Sequence, residues 1–200
     1  MARGTKRRLE SEQKQKIVNV NRDDTQPVDE SVFTDSQSTN FTKPFGRLVG
    51  IRRGISNIDL VEGQFVCGRG SDDAPINYTF STMCNDNGLY RFISKIQFSI
   101  VRDFESKKSV LHDHSRNGTL VNQDMVGKGN FKELQNGDLI SIGIPSLIVF
   151  VYEDVDDRQY PDDLTRKYHV TSHSLGKGGF GNVLLGYKKS DRSVVRIFPK

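Results

Sequence analysis

Asp113-His-Ser-Arg-Asn-Gly-Thr-Leu-Val-Asn122 leaves one strand-like run, turns at Asn117-Gly118 and starts another run. An Asn-Gly pair between apolar runs is a tight-hairpin signal, because Gly adopts positive φ at no steric cost. Three other segments are built the same way: Phe65-Val-Cys-Gly-Arg-Gly70, Ser94-Lys95 and Leu134-Gln-Asn-Gly-Asp-Leu-Ile-Ser-Ile-Gly143. Each joins a strand-like run to a turn and places a polar side chain in that turn. An Arg forks onto phosphate oxygens, and Ser, Lys and Asn supply further donors beside it. Together the four segments read as one phosphate-binding site.

Outward from these turns the texture is all-β. Short runs rich in β-branched and aromatic residues recur at 45–51, 58–61, 64–67, 97–101, 109–112, 119–121, 139–142 and 147–151. Arg53-Gly54, Glu62-Gly63, Asn117-Gly118 and Asn136-Gly137 punctuate them. That spacing predicts a sandwich or barrel. Asp72–Asn87 interrupts the pattern and is expected to be an inserted loop. Residues 152–167, acidic and containing Pro161, read as a linker with room for one short helix. A fresh β-pattern begins at Tyr168.

The net charge of +4 is concentrated in the first sixteen residues, which hold six Lys or Arg against Glu10 and Glu12. The rest of the chain balances. Such a tail suits an import receptor and nuclear localisation, or is simply solvated; direct nucleic-acid binding is not expected. Residues 1–43 are polar and Ser/Thr/Asn-rich, too poor in apolar anchors to offset ordering entropy, and are expected to be disordered. Cys67 and Cys84 form no metal-ligand spacing or disulfide framework, and Cys67 is expected in the core. No apolar run is long enough to span a bilayer, so no membrane partner is expected.

The four turn segments, in this order, resemble a forkhead-associated domain, a β-sandwich that binds phosphothreonine peptides through its loops. The resemblance implies that Arg69 forks the phosphate, Ser94 donates a hydroxyl hydrogen bond, and Lys95 is a second cation. It implies that Asn117 holds the peptide backbone; Arg116 stands where it adds charge, and Asn122 supports the same loop. Asp113 and Ser115 are expected to brace the turn. The family has His three residues after Ser94, where this chain has Gln97, so some loss of loop rigidity is expected.

Leu175-Gly-Lys-Gly-Gly-Phe-Gly-Asn-Val183 reads G-x-G-x-x-G-x-V, the Gly-rich loop that covers ATP phosphates in protein kinases. Gly176, Gly178, Gly181 and Val183 carry that pattern between strand-like flanks. A forkhead-associated domain followed by this start resembles the checkpoint kinase 2 family. In that family ATP and Mg serve the kinase domain. Here no Asp-Phe-Gly and no catalytic Asp loop follow, and no cofactor is expected for this chain. Family spacing puts the ATP-gripping Lys at Phe198, or at Arg196 with a shorter hairpin, and neither is Lys. An abrupt end, from splicing, a shortened reading frame or a cut in a divergent strand, is therefore expected. Thr25-Gln26 and Ser36-Gln37 match the Ser/Thr-Gln pairs that DNA-damage-activated kinases phosphorylate.

These readings define a tail at 1–43, a forkhead-associated β-sandwich at 44–153, a linker at 154–167 and an incomplete kinase N-lobe at 168–200. The expected function is a phosphothreonine-binding module of a DNA-damage or meiotic checkpoint kinase, here without catalysis. Phosphothreonine proteins and a phosphorylation-dependent homodimer are the expected partners. The alternatives are the regulatory part of an active ATP-dependent Ser/Thr kinase, and a nucleic-acid binder using the basic tail.

Overall fold

The computed structural model of the chain describes residues 43–70, 75–80, 86–157, 159–178 and 181–199. Thr25, Ser36, Cys84, the tip of the Gly-rich loop and nearly all of the tail lie outside them.

Two antiparallel sheets face each other. The first has six strands in the order β2 (Ile58–Leu60), β1 (Gly46–Gly50), β11 (Ile148–Asp154), β10 (Leu139–Ile142), β7 (Thr119–Val121) and β8 (Asp124–Met125). The second runs β4 (Tyr78–Thr79), β3 (Gln64–Gly68), β5 (Phe98–Asp103), β6 (Lys108–Asp113) and β9 (Phe131–Leu134), and only β3–β4 is a parallel pair. Side chains alternate across each strand. Leu48, Ile140, Phe150 and Tyr152 of the first sheet therefore meet Phe65, Cys67, Phe98, Ile100 and Leu111 of the second in one core. Tyr78, Phe80 and Phe150 form an edge-to-face cluster, with centroids 5.2 to 6.0 Å apart. Each such buried side chain contributes about 1.5–3 kcal/mol by leaving water.

Arg102 carries its charge into the edge of this core. The Arg102 side chain is 2% exposed; it donates to Asp154 at 2.8 Å and to Ser109 Oγ at 3.1 Å, and lies over the Phe45 ring. Tyr152 donates to the same Ser109 hydroxyl at 2.8 Å, and burial pushes its phenol up to about 12.

Two expectations change here. The stretch expected as an inserted loop, Asp72–Asn87, contains β4 and the start of a short 3-10 helix that spans Asp86–Arg91. Asn77 pins β4 beside β3: its backbone N–H donates to the Val66 carbonyl at 2.9 Å, and its side-chain oxygen accepts from Val66 N–H at 2.7 Å. Strand β9 went unread because Phe-Lys-Glu-Leu is short and half charged. It is an edge strand that pairs with β6 and leaves Phe131 exposed.

The described residues belong to one compact unit, so the region after the expected linker does not stand apart. Strand β11 runs on to Asp154, and a helix, α1, spans Asp162–Lys167 with acids in its first turn and bases in its last, the polarity that suits the helix dipole. Strands β12 (Tyr168–Gly178), β13 (Gly181–Lys188) and β14 (Val194–Ile197) then form a three-stranded sheet. Leu185 and Tyr187 of that sheet pack on the outer face of the first sandwich sheet, against Val49, Leu139 and Val151. His169 Nδ1 meets Glu153 at 2.6 Å, and Arg192 donates to the carbonyls of Arg52 and Ile55. Apolar residues on both faces of β10 and β11 left nothing in the sequence to say what covers the outer one.

Candidate functional site

Three of the four expected segments converge at one end of the sandwich. Where β3 ends, Arg69 N–H donates to the Ser94 carbonyl at 2.9 Å and Gly70 N–H to the Lys95 carbonyl at 3.3 Å. The chains approach so closely that a Cβ at Gly68 would collide with the Lys95 carbonyl. The 113–118 loop is tied to the same segment. Arg116 N–H donates to Ser94 Oγ at 2.8 Å, and the Asn117 amide donates to the Phe92 carbonyl at 3.0 Å. The Ser94 hydroxyl accepts that bond, so its own proton is free to donate outward. Gly118 holds φ +91° at the turn, as the Asn-Gly signal required.

Gln97 is the brace beneath these loops, and it is 0% exposed. Its side-chain oxygen accepts from Ser94 N–H at 2.8 Å, and its amide donates to the Gly118 carbonyl at 3.2 Å and to Thr119 Oγ1 at 3.0 Å. Gln both accepts and donates, so one side chain spans the two loops where the sequence suggested a loss of rigidity. Asp113, buried, accepts from Ser115 N–H and Thr119 N–H at 2.8 Å each and from Thr119 Oγ1 at 3.0 Å. Ser115 is equally buried and its hydroxyl has no partner. Both belong to the frame of the turn.

The site carries positive charge without internal neutralisation among the described residues. Among the described residues the side chains of Lys95, Arg116 and Lys128 have no ion-pair or hydrogen-bond partner, whereas exposed Lys43, Arg47, Lys108 and Lys132 each face a carboxylate. The Arg69 guanidinium lies 5.6 Å from the centroid of the Tyr90 ring, a stacking partner that the sequence did not single out. That ring offers an aromatic face to the cation and limits its wandering. Phe92, 37% exposed, lies against Gly143. His114 meets Ser99 Oγ at 2.8 Å. Burial and then the neighbouring His112 hold its imidazole below the ordinary value, against an opposing pull from Asp113.

The fourth segment splits. Its end, Gly143, reaches the site and donates to the Gly118 carbonyl at 3.0 Å. Its turn, Gln135–Asp138, lies at the other end of β10. There Asn136 donates to the Asp157 carbonyl at 3.2 Å, and Asp138 accepts from Asn122 at 2.7 Å and from Ser172 Oγ at 3.0 Å. Asn122 thus fastens the β7–β10 end and the β12 strand, and does not support the phosphate loop. Strand β10 connects the two groups, and a strand's ends lie apart by its length, about 3.3 Å per residue.

Of the Gly-rich pattern, Gly176 and Val183 face each other across the β12–β13 pair, as do Gly178 and Gly181. Arg196 pairs with Leu185, and Phe198 lies exposed beyond β14. Residues two apart share a strand face. Val183 is therefore on the face of Leu185 and Tyr187, which is turned to the sandwich. No helix among the described residues is long and apolar enough to cross a membrane.

The FHA domain family model matches residues 65–143. The chain is 67% identical over 198 residues to the Caenorhabditis elegans serine/threonine-protein kinase chk-2, covering 98% of this chain and 42% of that protein. It is 33% identical over 138 residues to the Drosophila melanogaster ovarian-specific serine/threonine-protein kinase Lok, covering 66% of this chain and 28% of that one. The chain thus spans less than half the length of these relatives. The crystallised N-terminal FHA domain of S. cerevisiae Rad53p, in complex with a phosphothreonine peptide, matches 56% of this chain and 94% of its own, at 23% identity and TM-score 0.45.

Proposed function

This chain belongs to the checkpoint kinase 2 family, and we propose that its FHA domain docks it onto phosphothreonine-bearing proteins through Arg69, Ser94, Lys95, Arg116 and Asn117. The observation that carries this reading is the tying of loops 68–70, 92–95 and 113–118 by backbone and Ser94 hydrogen bonds, which leaves the Ser94 hydroxyl proton free to donate beside cations that have no ion-pair partner among the described residues. Phosphothreonine brings about −1.5 to −2 charges and three acceptor oxygens, which such a cluster matches. The test is calorimetry with a phosphothreonine peptide and its unphosphorylated twin. The phosphopeptide should bind and the twin should not. Each charge-assisted hydrogen bond contributes about 1.5–3 kcal/mol, so Arg69→Ala should cost at least about tenfold. Equal binding with and without phosphate rejects the reading.

In this reading the domain serves a nuclear DNA-damage or meiotic checkpoint. A phosphorylated Thr25 is itself a suitable ligand, since Val28 stands three positions on and Phe92 offers an apolar wall. Phosphorylation there should give reciprocal dimers, reinforced by effective concentration. Sedimentation of the Thr25-phosphorylated chain tests this: a monomer at tens of micromolar, or a dimer indifferent to Arg69→Ala, rejects it.

A further inference from the structure

Beside the phosphate-facing loops lies a pocket of about 610 Å³ that the phosphothreonine reading does not use up. It shares Ser94, Lys95 and Arg116 with the site and extends past Val66 to His114 and Lys128. Among the described residues that line it there is no carboxylate, and Arg69 is not among them either. One phosphate, at about two negative charges, is already matched by Arg69 and Lys95. Lys128 is therefore surplus to it, and both Lys128 and Arg116 lack a partner among the described residues. Lys132, four residues on, pairs with Asp124 at 3.1 Å. The backbone holds Lys128 in place: Gly129 N–H donates to the Asp113 carbonyl at 2.8 Å and Asn130 N–H to the Gly127 carbonyl at 3.0 Å. The turn thus brings a cation to the rim of the pocket, and none of the described lining residues offers it an anion.

We propose that this pocket is a subsite for a second acidic group on the same phosphopeptide, and that Asp23-Asp24 of a second copy of this chain fills it. The proposal rests on the phosphothreonine reading. The occupant follows from charge complementarity, because Asn21-Arg-Asp-Asp-Thr25 places two carboxylates directly before the candidate phosphothreonine. Residues one and two positions from an anchored Thr stay within about 7 Å of its Cα, so they remain near groups that share a wall with the phosphate loops. The pocket would then raise affinity for acidic-flanked phosphothreonine and discriminate against the same peptide with neutral flanks.

The test is calorimetry on the unphosphorylated full chain at low salt. The probes are the peptide of residues 18–32 phosphorylated at Thr25, the same phosphopeptide with Asp23→Asn and Asp24→Asn, and the unphosphorylated peptide. The neutralised phosphopeptide should bind about five- to tenfold more weakly, what two partly screened ion pairs supply, and added salt should narrow the gap. Lys128→Gln should lower the acidic phosphopeptide toward the neutralised one and leave the neutralised one unchanged. Equal affinities for the two phosphopeptides, with both still lost in Arg69→Ala, overturn the subsite and leave the phosphothreonine reading standing. A gap undiminished in Lys128→Gln overturns it as well. If neither phosphopeptide outbinds the unphosphorylated one, both the subsite and the reading beneath it fail.

Discussion

Replacing Gln97 by Ala probes how the binding loops are held without touching any group that meets the ligand. The side chain is 0% exposed and makes three hydrogen bonds. When Gln97 is truncated, Thr119 Oγ1 keeps its bond to Asp113 and the Gly118 carbonyl keeps the one from Gly143 N–H, but the Ser94 N–H loses its partner. An unsatisfied buried polar group costs about 1–3 kcal/mol. One such group, partly buried, therefore predicts about 1–3 kcal/mol of lost stability. The loops carrying Ser94 and Asn117 also lose their common strut, so phosphopeptide affinity should fall by about fivefold or more beyond any unfolded fraction, a ~1 kcal/mol effect of misplaced donors. Gln97→Glu keeps the shape and the acceptor toward Ser94 but faces the Gly118 carbonyl with a second acceptor; it should be at least as damaging. Urea melts give the first quantity from the midpoint at constant slope, and calorimetry at a temperature where the variant is folded gives the second. A loss below about 0.5 kcal/mol for Gln97→Ala, with unchanged affinity, refutes the bracing role.

Other outcomes follow from the same coordinates. Removing one partner of the Arg102–Asp154 pair, whose guanidinium is 2% exposed, should cost about 3–5 kcal/mol in urea melts; an apolar replacement of both partners that recovers much of it would identify the loss as a stranded charge. Burial pushes the Glu153 carboxyl up, but the His169 hydrogen bond, helped by Lys189 and Arg47, outweighs it and holds the group below its ordinary value. With the folded value depressed, its contribution is present above the unfolded value of about 4.3 and is lost as pH falls through the folded one. The stability gap between the parent chain and Glu153→Gln should therefore shrink on going from pH 6 to below pH 4; a gap that widens contradicts the pairing. Asn117→Ala should weaken phosphopeptide binding by about tenfold, through the peptide backbone. Without a catalytic or metal-binding Asp of the kinase pattern, the purified chain should transfer no phosphoryl group; activity abolished by substituting Gly178 and Gly181 would reject that expectation.

The sequence by itself determined the strand alternation, the turns and the chemistry of the binding loops. Phe65–Gly70, Ser94-Lys95 and Asp113–Asn122 were legible because Gly, Asn and β-branched residues state their backbone preferences locally. The position of Cys67 in the core followed from its apolar strand, and it is buried. Tertiary structure decided which end of the sandwich each turn occupies. Asn136-Gly137 carries the same local signal as Asn117-Gly118, yet it lies at the far end of β10 and receives Ser172, because sheet order and strand direction are set by pairings between distant segments. The same holds for Gln97, whose role depends on two loops that meet only in the fold. It holds for Tyr90 under Arg69, and for Lys128, which the turn at 127–130 brings to a pocket that Val66, Ser94 and His114 of separate segments also line. It also holds for the β12–β14 sheet: an apolar outer face on β10 and β11 asks for a cover, and only contact between remote parts of the chain shows that Leu185 and Tyr187 provide it.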